Sequence, residues 1–160
     1  SVLHSFPTRR SSDLLSFNCY ALSPDHEKMN HALEISGLPM IIGEYHFGTV
    51  DRGLAQSLWQ VNSQKERGDA FRYYTENAFA HRGLIGTGWF RWIDQNINGR
   101  TDGENYNCGF IDVTDRPYPY MVDAAIETAK SLYEIHSGTK TPFHQAPNAV
   151  GHSPIPDLWE

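Results

Sequence analysis

The sequence predicts an α/β fold, and within that class the C-terminal fragment of a (β/α)8 TIM barrel, about strands 6 to 8 with their helices. Short apolar segments alternate with longer segments of helical periodicity, which is typical of parallel strands joined by crossover helices. The segment after each strand is long and polar, as in barrels whose active site lies at the carboxyl ends of the strands. The chain has 160 residues, whereas a complete barrel needs about 250. We therefore expect roughly three units.

The first unit is a strand at residues 14–20 followed by a helix at residues 25–36. The strand is a short apolar run that ends in polar residues. The helix has apolar residues at near-helical spacing, namely Met29, Ala32, Leu33 and Ile35. Gly37 is expected to end this helix, and Pro39 prevents its continuation.

The second unit is a strand at residues 39–43, a polar loop at residues 45–62 and a helix that begins with a capping box. Ser63 and Glu66 have the S-x-x-E spacing of that box. The apolar stripe of the helix comprises Ala70, Phe71, Tyr74, Ala78 and Phe79, and Gly83 is expected to end it.

The third unit is a strand at residues 84–90, a loop at residues 91–116 and a helix at residues 118–136. The glycines of the strand indicate close approach of another backbone segment. The partial catalytic domain is thus assigned to residues 15–137, and the proline-rich residues 138–160 are expected to form an extended tail. A doubly wound sheet is the structural alternative, but the chain has no glycine-rich phosphate loop.

Residues 1–14 are excluded from the fold, because residues 4–14 match the translation of a common sequencing adapter. An adapter at this position implies that the natural upstream chain is missing. The two cysteines, Cys19 and Cys108, are too few for a disulfide framework or a cysteine-based zinc site. They form one bridge or two thiols, of which two thiols are favoured.

Composition excludes several classes of partner. The net charge of −6 argues against binding to nucleic acid or to an anionic membrane surface. No apolar run approaches the roughly 20 residues that a transmembrane helix needs. The eight histidines show no metal-binding spacing, so we expect neither a metal nor another cofactor. The oligomeric state is left open.

Polar and aromatic residues concentrate at the ends of the three strands. Glu44 is the most informative, because it follows a buried strand and a carboxylate there must be paired or functional. Glycoside hydrolysis requires carboxylates, together with aromatic faces and amide or hydroxyl groups that bind sugars. The chain offers such groups at Asn18, Tyr20, Tyr45, His46, Trp89, Phe90, Trp92, Asp94, Gln95 and residues 105–107.

Three segments carry a resemblance to a known family. They are residues 41–48 (IIGEYHFG), residues 88–95 (GWFRWIDQ) and residues 102–115 (DGENYNCGFIDVTD). Together they resemble the C-terminal part of β-agarases of glycoside hydrolase family 50, which are retaining TIM-barrel enzymes. The first segment alone indicates only the wider clan, which includes β-galactosidases of family 42.

The resemblance implies that Glu44 is the catalytic nucleophile. It also implies that Asn18, Tyr20, His46, Trp89, Asp94 and Gln95 bind a galactose-containing polysaccharide or oligosaccharide. In this clan the acid/base glutamate usually follows an asparagine at the end of strand four, and this chain has no Asn-Glu dipeptide. We therefore expect that residue upstream, and Asp94 and Glu104 are weaker alternatives.

Three functions remain open at this level. The first is an agarase-like hydrolase that acts outside the cell or in the periplasm, of which this chain alone is inactive. The second is a β-galactosidase-like exo-glycosidase that acts on smaller substrates. The third is a carbohydrate-binding piece without catalysis.

Overall fold

The computed structural model describes residues 13–152 and confirms the α/β class. The predicted artefact at residues 1–14 lies almost wholly outside the described residues, and so does the end of the tail. In chain order the elements are β1 (Leu15–Asn18), α1 (His26–Ser36), β2 (Met40–Tyr45), β3 (Trp59–Gln60), α2 (Gln64–Phe79), β4 (Leu84–Trp89), α3 (Pro119–His136) and β5 (Val150–Gly151).

The main sheet has three parallel strands in the order β1-β2-β4. Helix α1 connects the first pair of strands and α2 connects the second pair. The three predicted strand–helix units are therefore confirmed, whereas their position within a closed barrel stays a prediction. No helix within residues 13–152 is long and apolar enough to cross a membrane.

The ends of the helices follow the local sequence. The Asp25 side chain caps α1 by accepting hydrogen bonds from the backbone N–H groups of Glu27 and Lys28. Gly37 ends α1 with φ of 61°, a conformation that favours glycine. At α2 the Ser63 side chain accepts a hydrogen bond from the Glu66 N–H. The Glu66 carboxylate, however, accepts from Asn62 one residue before the cap.

The tail is more structured than its composition predicts. Residues 150–151 form β5, which pairs antiparallel with β3 inside the segment that was predicted to be a loop. Phe143 also lies along α2, where its N–H donates to the Glu76 carboxylate and its ring lies against Arg72. These contacts join residues that are far apart in the sequence, so the hydrophobic periodicity of a short segment does not predict them.

The core lies between the sheet and helices α2 and α3, which pack on each other. Close approach at the β4 glycines is confirmed, because a Cβ on Gly88 would lie 2.4 Å from the Gly43 carbonyl oxygen. Ile35, one of the apolar residues at near-helical spacing in α1, is 74% exposed. It borders an apolar groove beside Leu15 of the edge strand β1, which no described element covers.

Candidate active site

Strand β2 contains a β-bulge at the residue that sequence analysis singled out. Phe17 lies opposite Ile42, but the next residue of β1, Asn18, lies opposite Glu44. One additional residue of β2 is accommodated at this point. A Cβ on Gly43 would lie 2.8 Å from the Asn18 side-chain oxygen, so Gly43 and Asn18 are on the same face of the sheet.

The bulge determines where the carboxylate points. In a regular strand, side chains alternate between faces, and Glu44 would share the face of Met40 and Ile42. Both of these side chains are fully buried in the core. Because of the additional residue, Glu44 shares the face of Asn18 instead, while Tyr45 points into the core. Bulges commonly redirect a side chain in this way next to active sites.

The Glu44 carboxylate is half-buried and has a specific partner, Tyr20, in the segment that follows the neighbouring strand β1. The Tyr20 hydroxyl donates a hydrogen bond to Glu44 Oε2 over 2.8 Å. Tyr20 is held in place because its carbonyl accepts from the Trp59 indole. Burial and the hydrogen bond to Glu44 raise the pKa of Tyr20, so its phenol remains a protonated donor at neutral pH. Asn18 is exposed beside this pair.

His46 lies behind the pair rather than in the open cleft. Its side chain is 1% exposed, and its ring packs edge-on against Tyr20 and Tyr106. Nε2 accepts from the Leu58 N–H, so Nδ1 carries the proton and donates to the Phe90 carbonyl. Burial lowers the pKa of His46 to about 3. Both ring nitrogens are thus occupied by backbone groups, and the ring supports the two tyrosines.

The structure separates Trp89 from Glu44. Trp89 lies opposite Tyr45 on the core face, where its ring contacts Tyr45, Phe71 and Phe110. Its indole N–H donates to the Cys108 carbonyl. The next residue, Phe90, bonds to the Tyr45 carbonyl through its N–H and lies 5.8 Å from the His46 ring. Phe90 therefore contacts His46, the same ring that packs against Tyr20.

Asp94 and Gln95 are buried in the loop at residues 90–117, here called the β4–α3 loop. Gln95 is 0% exposed, accepts from the Tyr106 N–H and donates to the Glu104 carboxylate. Asp94 is 4% exposed and accepts from the side chains of Asn107 and Tyr118. Both side chains are buried in this structure, and their hydrogen bonds join distant parts of the loop.

A buried polar network surrounds Asn107, and sequence analysis did not anticipate it. It consists of Thr49, Gln64, Arg67, Asp94, Asn107 and Tyr118, which we call the Asn107 cluster. Arg67 is 0% exposed although it lies in the first turns of α2, where most residues are polar. The signal available in the sequence was its spacing, because Arg67 lies three and four residues before Ala70 and Phe71 on the apolar stripe.

The two cysteines and the possible metal ligands complete the set of groups that the sequence singled out. Cys19 and Cys108 are not joined by a disulfide, as the sequence favoured. Burial raises the pKa of the Cys108 thiol to about 12, so it remains protonated. Residues 13–152 contain no group of three His, Cys, Asp or Glu side chains that could hold a metal ion. The candidate site thus consists of the Glu44 carboxylate, which the Tyr20 hydroxyl holds in place, with the Asn18 amide beside it and the Phe90 ring against His46.

Comparisons with known proteins agree on one group of enzymes, although no family model matches the chain. β-Agarase A of Vibrio sp. (strain JT0107) is 39% identical over 128 residues, and β-agarase B of the same strain is 37% identical over 128 residues. Each match covers 76% of this chain and 13% of the relative. The solved structure of an exo-β-agarase is 38% identical, with a TM-score of 0.75, over 81% of this chain and 17% of that one. The chain is thus homologous to a part of these β-agarases.

Proposed function

We infer from this homology that the chain is part of an agarase-like β-glycoside hydrolase, and we propose that Glu44 is its nucleophile. The observation that carries the proposal is the bulge in β2, which turns Glu44 out of the core and toward Asn18. In a regular register the Glu44 carboxylate would enter the apolar core, where an unpaired charge is costly. The bulge avoids this and presents the carboxylate on the other face, as bulges next to active sites commonly do.

In the proposed reaction Glu44 attacks the anomeric carbon of a β-linked sugar and forms a glycosyl-enzyme, which water then hydrolyses with net retention. The Tyr20 hydroxyl holds one carboxylate oxygen, so the other is oriented for attack. The leaving oxygen must be protonated by a second carboxyl group about 5–5.5 Å from the first. Glu104 is engaged by Gln95 and Arg100, so we assign that role to a glutamate outside this chain.

We further propose that the chain forms three consecutive units of a TIM barrel. The parallel order β1-β2-β4 and the long connections that follow β2 and β4 support this arrangement. The edge strand β1 and the apolar groove beside Ile35 and Leu15 offer a surface on which a preceding unit would pack. A galactose-containing polysaccharide is the proposed substrate, and since such a polymer stays outside the cytoplasm, we propose an extracellular or periplasmic location.

The function is tested on the longer protein that carries this chain, with agarose, agaro-oligosaccharides and lactose as substrates. We expect hydrolysis of agarose and its oligosaccharides with retention of the anomeric configuration, followed by NMR of the fresh products. Hydrolysis of lactose alone would establish the β-galactosidase-like alternative. We expect no turnover by the 160 residues alone, and activity of that chain would show that its own carboxylates suffice.

Phe90 is proposed as the sugar-facing aromatic residue, in place of Trp89. Its ring lies beside His46 on the side of the Tyr20–Glu44 pair. Phe90→Ala is expected to lower kcat/KM for agaro-oligosaccharides by about 10-fold, since stacking on an aromatic ring contributes about 1–2 kcal/mol. Steady-state kinetics measure this. Ile97→Ala, which changes an exposed side chain of the same loop, is the control, and an equal loss in both variants would contradict the assignment.

A further inference from the structure

We propose that the Asn107 cluster is a positioning device that holds the β4–α3 loop against the catalytic carboxylate, an inference that rests on the proposed function. The loop contributes Tyr106 and Glu104 to the neighbourhood of Tyr20 and His46. None of the cluster's members needs to touch the sugar. Their action is exerted through the residues that adjoin them in the chain.

Asn107 is the centre of the cluster because its side-chain oxygen accepts hydrogen bonds and its side-chain nitrogen donates them. Its oxygen accepts hydrogen bonds from Thr49, Gln64 and Arg67 at 2.9, 2.7 and 3.1 Å. Its amide nitrogen donates to both oxygens of Asp94, at 3.0 and 2.9 Å. The amide thus lies between a buried guanidinium and a buried carboxylate.

The partners of Asn107 come from four different parts of the chain. Thr49 follows β2, Gln64 and Arg67 belong to α2, and Asp94 lies in the β4–α3 loop. Tyr118, the residue before α3, donates its hydroxyl to Asp94 over 2.6 Å. The cluster therefore fixes the loops that leave β2 and β4 relative to one another and to the two helices.

A second set of contacts transmits this position toward Glu44. Gln95 directly follows Asp94 in the chain, and Tyr106 directly precedes Asn107. The Gln95 N–H donates to the Tyr106 carbonyl, and the Tyr106 N–H donates to the Gln95 side chain. The Tyr106 ring then packs edge-on against His46, which also packs edge-on against Tyr20.

Stability alone does not explain so many buried polar groups. Burial of a charge such as Arg67 is expensive, and an apolar replacement of similar size commonly gives an equally stable core. The Nε of Arg67 has no hydrogen-bond partner within the described residues, which adds to that expense. What a connected polar network provides is one defined geometry, because each hydrogen bond requires its own angle and distance. A defined geometry is what a loop that borders reacting groups requires.

The test exchanges the two central groups. Asn107→Asp replaces the donor amide with a second carboxylate directly opposite Asp94, so the two repel each other. The double variant Asn107→Asp/Asp94→Asn restores one amide and one carboxylate in exchanged order. Tyr118→Phe removes the hydroxyl that donates to Asp94 and accepts from Asn107. It introduces no charge and serves as a milder variant. Asn98→Asp makes the same chemical change at an exposed site of the same loop and is the matched control.

The readouts are kcat and KM of the longer protein on agaro-oligosaccharides, together with its thermal midpoint and trypsin cleavage after Arg100. We expect Asn107→Asp to lower kcat/KM by about 10- to 100-fold and to speed trypsin cleavage after Arg100. Tyr118→Phe is expected to change both quantities in the same direction by a smaller amount. The double variant is expected to recover most of the lost kcat/KM. If Asn107→Asp does not fold, the double variant and Tyr118→Phe decide.

A lowered thermal midpoint with unchanged kcat/KM in the folded variants would overturn the inference, because the cluster would then only stabilise the fold. A double variant that regains its midpoint without regaining activity would overturn it as well. If the wild-type protein hydrolyses no galactan, the proposed function fails. In that case, faster cleavage after Arg100 in the single variants alone still supports the holding of the loop, and unchanged cleavage refutes it.

Discussion

Glu44→Gln is expected to abolish hydrolysis of agarose and its oligosaccharides by the protein that carries this chain. The amide is nearly isosteric with the carboxylate and can still accept the Tyr20 hydrogen bond, so the fold is expected to remain intact. It cannot form a glycosyl ester, because a neutral amide is a poor nucleophile. Loss of a nucleophile lowers kcat on the order of 10⁴-fold or more. Reducing-end assays measure the effect, with circular dichroism as the check on folding.

Two comparisons make this experiment specific to the nucleophile. Glu34→Gln changes an exposed carboxylate of α1 and is expected to leave kcat unchanged. Glu44→Gly supplied with azide and an activated aryl β-galactoside is expected to form an α-glycosyl azide, because the small anion attacks from the vacated side. Retained activity of Glu44→Gln would reject the assignment, and so would an azide product of β configuration.

Mild acid is expected to destabilise the protein through His46. The folded state holds this imidazole neutral with a pKa of about 3, while the unfolded chain has the ordinary value of 6.5. Below about pH 6.5 the unfolded state therefore binds a proton that the folded state does not. The free energy of unfolding is unaffected above that pH and falls by about 1.4 kcal/mol for each pH unit below it, until the folded form also protonates near pH 3.

Denaturant unfolding between pH 7 and 5 measures this effect before the carboxylates contribute. His46→Gln is expected to flatten the dependence by about one proton, and His31→Gln, which changes an exposed histidine, is the matched control. Burial also lowers the pKa of His81, so a smaller slope of the same sign is expected to persist in His46→Gln. An unchanged slope in that variant would contradict the contribution of His46.

The elements of the fold were predictable because their signals are local. The cap at Ser63, the terminator at Gly37 and the apolar spacing of α2 all act within a few residues, and each one lies where the sequence predicted it. The short strands β3 and β5 were missed, because two residues of pairing between distant segments leave no periodicity. The spacing of Ile35 contributed to the prediction of α1, but such a spacing does not show which element, if any, covers the apolar side chain.

The candidate site was predictable in its central residue and less so in its surroundings. A carboxylate at the end of a predicted buried strand singled out Glu44, whose role stays a prediction, and Tyr20 and Asn18 lie beside it. Trp89 was predicted to bind sugar, and in the structure it is partly buried and packs against the core. The register of β4 opposite β2 places it across from Tyr45, which local sequence does not determine. Arg67 was not anticipated, because its partners Asn107 and Gly109 are 40 and 42 residues away in the chain.

The sequence by itself thus determined the order of strands and helices, their caps, and the carboxylate at the end of the second strand. These depend on backbone conformation and on neighbours within one or two helical turns. Only the tertiary structure decided that a bulge directs Glu44 away from the core and that Asn107 joins two loops and two helices. Both depend on strand register and on buried hydrogen bonds between distant segments, where the requirement that each polar group find a partner selects a single arrangement.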